Sequence, residues 1–167
     1  MSEIISNSED PAWARLSNLT KRHFWYEGEE HYSIEGGLQA MKFADPAQQK
    51  RVRVLFGKEA QQAGQGIDWS HDRSLYDHQG NAMKRGSDEF ELFVNGMFDA
   101  AYEGDASFAP DLLATGHEEL QHSIGKANQL HTVLTRNDLY ANLYRLRARA
   151  HREEAVRVAK IVCDSLR

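Results

Sequence analysis

The chain has 167 residues, of which 41% are hydrophobic and 27% charged, and its net charge at pH 7 is −5. This is the composition of one ordinary globular domain with enough length for a core, which excludes a disordered chain and a general nucleic-acid-binding surface. One cysteine, Cys163, excludes an internal disulfide, the acidic first ten residues hold no apolar signal core, and no apolar run reaches spanning length, so the expected setting is the cytoplasm with no membrane partner.

In chain order, residues 1–12 read as a flexible polar tail. Phe24-Trp25-Tyr26 running into Glu27-Gly28 predicts a short hairpin. A helix follows from Ser33, and Asp45-Pro46 stops it and starts another, with Asp as N-cap and Pro at the first helical position. That helix, over 46–56, turns Val52, Leu55 and Phe56 inward and Lys50, Arg51 and Arg53 outward. Gly57 breaks it, and 58–63 adds a short turn closed by Gly64. Residues 64–87 set Gly64, Gly66, Gly80 and Gly86 among Asp68, Trp69, His71, Asp72, His78 and Asn81, and read as one long irregular segment. Long loops inside a domain are uncommon and often functional.

Ser87-Asp88 caps the helix with the strongest apolar stripe of the chain, Phe90, Phe93, Val94, Met97, Phe98, Ala101 and Tyr102, which makes it the most buried one. A brief helix is expected over 108–113, then a turn at 114–116 and a short extended piece over 120–123. Thr135 and Asp138 open the last helix in a capping-box pattern with Asp in place of the usual Glu, and Leu139, Leu143 and Leu146 form its inner face. Past residue 147 the sequence turns Arg-rich and then weakly apolar at Val156, Val158, Ile161 and Val162, which suits a helical extension over 149–167 and a homo-oligomer formed through it. The expected fold is mainly α, one compact multihelical domain over 13–148 with a few short strands.

The most informative stretch is the helix that begins after Ser33. Ile34, Leu38 and Met41 make an apolar stripe at i, i+4 and i+7. Glu35, Gln39 and Lys42 repeat the same spacing one residue later and form a polar face beside it. Ser33 is the N-cap and Glu35 lies in the first turn, where the helix dipole favours its ionised form. Gly36 and Gly37 cost roughly 1 kcal/mol each against Ala in a helix, which makes sense if something must approach the backbone closely. On periodicity alone the polar face is that of an ordinary solvated helix.

Other constellations fall away. His117 and His122 bracket Glu118 and Glu119 as in a zinc protease, but at spacing five their rings point about 140° apart on a helix, where the motif needs a spacing of four. No phosphate-binding Gly-rich motif, nucleophile elbow or Cys–His neighbourhood occurs, so neither a metal nor a cofactor is expected. Trp25 and Trp69 remain as aromatic faces able to stack on a flat ring.

Taken together, Leu16-Ser17-Asn18-Leu19, Tyr26-Glu27-Gly28 and Ser33-Ile34-Glu35-Gly36-Gly37-Leu38-Gln39-Ala40-Met41-Lys42-Phe43 resemble the NADAR family, the YbiA-like N-glycosidases. Gly57-Lys58-Glu59-Ala60, Asp68-Trp69, Leu112 to Gly116 and the closing Leu139, Leu143, Leu146 and Arg147 extend the likeness over 16–148. Two departures stand out. Gly36 follows Glu35 where the family has His, and His122-Ser123-Ile124-Gly125-Lys126 replaces an acidic stretch ending in Trp-Gly.

The resemblance implies a YbiA-like fold and hydrolysis of an N-glycosidic bond on ribose. Its substrates would be ribosylamino pyrimidine phosphates of the riboflavin pathway or ADP-ribosyl nucleobases, including those on nucleic acid. The family's Glu corresponds to Glu35, its Asn to Asn18, its Gln and Lys to Gln39 and Lys42, and its Trp to Trp69. The expected site is Glu35 as the key carboxylate, with Asn18, Trp25, Gly36, Gln39, Lys42, Trp69, His122 and Lys126 holding the substrate and Lys126 favouring an anionic group. Two alternatives belong to other classes: a catalytically silent module that binds ADP-ribose or a related nucleotide, and a purely structural helical protein.

Overall fold

A computed structural model describes residues 2–166; Met1 and Arg167, the outer ends of the expected tail and extension, lie outside the described residues. In chain order the elements are α1 (Pro11–Arg15), β1 (Phe24–Tyr26), β2 (Glu29–His31), α2 (Ile34–Ala40), α3 (Pro46–Arg53), α4 (Gly57–Ala63), β3 (Ser74–Tyr76), β4 (Ala82–Lys84), α5 (Asp88–Gly104), α6 (Phe108–Ala114) and α7 (Arg136–Ser165). The mainly α expectation holds.

The core forms where three apolar stripes meet. From α5 come Phe90, Val94, Met97, Phe98 and Ala101, from α2 Ile34 and Leu38, and from α7 Leu139, Leu143 and Leu146, all buried. Each stripe follows the 3.6-residue period, so burial of one face sets the rotation of each helix about its axis. Local caps set the helix starts. The side chains of Ser33, Asp45, Ser87 and Thr135 each accept a hydrogen bond from a first-turn amide, and Thr135 and Asp138 complete a reciprocal capping box.

The two glycines of α2 answer to the protein's own chain. A Cβ on Gly36 would lie 2.7, 2.9 and 3.0 Å from the carbonyl oxygens of Leu55, Val52 and Arg53, and one on Gly37 would run into Met97 Sδ. The close approach expected at these positions is that of α3 on one side and α5 on the other. Gly36 therefore faces packed backbone, and the expectation that it holds substrate is corrected.

Several other expectations change. Ile4 is 0% exposed and α1 begins at Pro11, so residues 1–12 are not a flexible tail along their described length. Within 64–87 lies an antiparallel hairpin, β3 on β4, pairing Leu75 with Met83, and the Tyr76 amide donates to the Met41 carbonyl at 2.7 Å. Helix α3 stops at Arg53, which turns inward to pair with Glu29, while Phe56 is exposed. Gly57 opens α4, a full helix where only a turn is expected. The last helix runs unbroken from Arg136 to Ser165, and its inward stripe reaches Ala150 before Val156, Val158, Ile161 and Val162 come out exposed.

The first hairpin matches its signal. Phe24 pairs with His31 and Tyr26 with Glu29, and both turn residues have positive φ, Glu27 at 50° and Gly28 at 79°, as a two-residue hairpin turn that follows the strand twist requires. His31 stacks on Phe24 and its Nε2 lies 3.3 Å from Nε2 of His78, which joins the two hairpins. Burial holds both imidazoles neutral, His78 down at about 4, so one ring donates and the other accepts.

What positions the site is the loop between α1 and β1. Arg22, buried, pairs with Asp105 and lies 3.7 Å from Asp111, with its guanidinium over the Phe108 ring, and so ties this loop to α6. At the loop's other end the Glu35 amide donates to the Asn18 carbonyl at 3.0 Å and the Gly57 amide to the Leu19 carbonyl at 2.8 Å. Asn18 is thereby fixed against the first turn of α2.

Candidate functional site

In front of the polar face of α2 lies a cavity of about 460 Å³, within the range of small-ligand pockets. Glu35, Gln39 and Lys42 line its floor, Asn18 enters from the adjoining loop, and Trp69 comes from the segment between α4 and β3. His122 and Lys126 stand on the segment before α7. The face that periodicity alone would leave to bulk solvent thus borders a cleft.

The hydrogen bonds on the floor leave acceptors over. Gln39 Nε2 donates to Glu35 Oε1 at 2.8 Å, and Lys42 Nζ donates to the Gly64 carbonyl at 3.1 Å. A Cβ on Gly64 would strike Gln39 Oε1 and lie 3.0 Å from Lys42 Cδ, so this glycine lets the end of α4 close over both side chains. Asn18 Oδ1 and Gln39 Oε1 are buried and lack a hydrogen-bond partner. Buried polar atoms are rarely left so, and each unmet one costs about 1–3 kcal/mol. Both orphans are acceptors, and beside them stands the Glu35 carboxylate, which already accepts from Gln39.

Charge follows from burial. Burial raises the Glu35 carboxyl above its ordinary value, opposed by the Gln39 hydrogen bond and the Lys42 charge. Burial lowers the Lys42 ammonium, with Glu35 opposing and nearby Lys126 adding to the fall. Two ammonium groups that repel each other beside one carboxylate make this end of the cavity attractive to an anion.

The family model described as "Bacteriophage protein GP30.3" matches residues 11–148. The chain belongs to the bacteriophage GP30.3 family. It is similar to the uncharacterized 17.1 kDa protein in the Gp30–rIII intergenic region of Enterobacteria phage T4, with 35% identity over 135 residues, covering 80% of this chain and 88% of that one. Among solved structures it is similar to the NMR structure of the E. coli protein YbiA, with a TM-score of 0.58 and 22% identity over 88% of this chain and 83% of that chain. The chain therefore has the YbiA-like fold that the motif order suggests.

All nine residues picked from the sequence fall within the GP30.3 stretch, and the structure gathers seven of them. Asn18, Glu35, Gln39, Lys42, Trp69, His122 and Lys126 line the one cavity. Trp25 does not, standing 60% exposed on β1, so it offers no stacking face there, and Gly36 faces α3. Trp69 is 8% exposed and belongs at once to the core and to the cavity wall.

Other walls of this cavity leave little trace in the sequence. Ile5, Ser6 and Asn7 cover one side, and Thr132 and Val133 another. For the first group the only hint is Ile4-Ile5, an apolar pair inside a polar stretch; the second carries no local signal.

Proposed function

We propose that this cavity binds a ribosyl or ADP-ribosyl compound and hydrolyses its N-glycosidic bond, releasing a free base. The observation that carries the reading is the polarity of the floor. Asn18 and Gln39 carry buried acceptors with no partner, Glu35 adds a carboxylate, and Lys42 and Lys126 supply positive charge. A sugar rich in hydroxyl donors and joined to phosphate meets both demands in one molecule. Trp69 adds an apolar wall for the base or for the sugar's carbon face.

In this reading the C1′–N bond breaks and its electron pair leaves with the base. The developing oxocarbenium charge lies near the Glu35 carboxylate, which stabilises it. Water adds to C1′, its proton passes to Glu35, and solvent supplies a proton to the departing base. Burial suits Glu35 to accept that proton, since it favours the neutral carboxyl.

The test is release of free base, read by mass spectrometry, from a panel of ribosylamino pyrimidine phosphates and ADP-ribosyl nucleobases, free and on oligonucleotides. Turnover of at least one class is expected. Failure across the panel, with no binding of ADP-ribose or ribose 5-phosphate, would overturn the reading. Turnover is also expected to survive exhaustive chelation, because among the described residues no three His, Cys, Asp or Glu side chains gather as ligands. Loss of activity on chelation, restored by one divalent metal, would count against the mechanism.

A further inference from the structure

We propose that His122 is a fixed hydrogen-bond acceptor in this cavity, held in that state by the N-terminal segment, residues 3–7. This segment is fastened at three points. The Ile4 amide donates to the Gln121 carbonyl at 2.8 Å, His122 Nδ1 lies 2.6 Å from the Ile4 carbonyl, and Ser123 Oγ donates to Glu3 Oε2 at 2.7 Å. The Ile4 side chain is fully buried, which anchors the strap in the core.

A carbonyl oxygen can only accept, so Nδ1 carries the hydrogen. In a neutral imidazole the other nitrogen, Nε2, then presents its lone pair. Burial and the charge of Arg136 keep the ring from taking a second proton, against the pull of Glu3 and the bond to Ile4. Nε2 has no hydrogen-bond partner among the described residues, and His122 lines the cavity. From the other side Gly125 closes on the ring, since a Cβ there would lie 2.5 Å from His122 Cδ2. Strap and loop thus hold the ring from two sides.

His122 thus adds a fourth acceptor to those of Glu35, Asn18 and Gln39, and selects for a ligand that offers a hydroxyl or N–H donor at that wall. The assignment of that donor to a ribosyl hydroxyl rests on the function proposed above; the tautomer and the strap do not. Ile5, Ser6 and Asn7, carried by the same strap, form the adjoining wall.

Two substitutions separate the halves of the idea. His122→Asn places an amide where Nδ1 stood, keeping the donor to Ile4 but leaving nothing at Nε2. His122→Gln places its amide near Nε2 and gives up the bond to Ile4. Nitrogen-15 spectra of histidine-labelled protein at pH 7 are expected to show Nδ1 protonated and Nε2 bare. ADP-ribose affinity, by calorimetry, is expected to fall about tenfold in His122→Asn with hydrogen exchange of the Ile4 amide unchanged. In His122→Gln affinity is largely kept and the Ile4 amide exchanges faster. A protonated Nε2, or unchanged affinity in His122→Asn with the strap intact, would overturn the proposal. If the unmodified protein binds neither ADP-ribose nor ribose 5-phosphate, the ribosyl reading fails, and the spectrum and the exchange rates alone decide the strap and the tautomer.

Discussion

Glu35→Gln is expected to abolish base release, by roughly 10²–10⁴-fold as for loss of a positioned acid–base group, while ADP-ribose binding persists. The replacement keeps the size of the side chain and leaves an amide oxygen to accept from Gln39, so the floor stays built and only the charge goes. A silent binding module would show no turnover in the unmodified protein and the same affinity in the variant. A purely structural helix would show neither turnover nor affinity in either.

The pH dependence adds an independent check. Burial raises the Glu35 carboxyl and lowers the Lys42 ammonium, so the rising limb of turnover should lie above the ordinary carboxylate range and the falling limb below the ordinary lysine range. Stability must move the opposite way to activity at this residue. A carboxyl whose folded pKa is raised contributes stability that is fully present below its unfolded pKa and is lost as pH rises through the folded one. Glu35→Gln should therefore be at least as resistant to urea as the unmodified protein at pH 7, and lose that advantage in acid. A variant less stable at pH 7 would mean that the carboxylate holds the fold together.

How far the fold could be read depended on whether its causes were local. The caps at Ser33, Asp45, Ser87 and Thr135 lie within three residues of the amides they serve, and the α5 stripe repeats for four turns. The β3–β4 hairpin has strands of three residues with one inward side chain each, Leu75 and Met83, so an alternating pattern has nothing to repeat. Asp10-Pro11 is the same start signal as Asp45-Pro46, but only five helical residues follow it, too few for an apolar period. Arg53 reads as an outward charge because its partner, Glu29, belongs to another element.

The site divides along the same line. The spacing of Glu35, Gln39 and Lys42 puts them on one face from sequence alone, whereas the cavity in front of that face is made by segments distant in sequence. Residues 5–7 and 131–134 reach it only through tertiary packing, and the strap is pinned by a bond between residues 118 apart, His122 to Ile4. No window along the chain contains both ends of that bond.

Gly36→Ala is expected to destabilise the protein by about 3 kcal/mol, as overpacking against atoms that cannot move aside does. The three oxygens a Cβ would meet, at 2.7–3.0 Å, belong to the backbone of the last turn of α3 and the residues just after it, and that backbone is itself engaged. The Arg53 carbonyl accepts from the Tyr32 amide at 2.9 Å, and the Leu55 carbonyl accepts from Ser33 Oγ at 2.7 Å. Ser33 in turn caps α2 by accepting from the Gly36 amide at 2.8 Å. Pushing α2 off α3 would strain the cap, the hairpin connection and the placement of Glu35 together. For a chain of this size a loss of that magnitude lowers the melting temperature by roughly 6–12 °C. Thermal unfolding followed by circular dichroism, with ADP-ribose binding measured well below the transition, gives both readouts. An unchanged melting temperature with lost binding would show that Gly36 meets the ligand, and that the backbone approach seen here is not what makes glycine necessary.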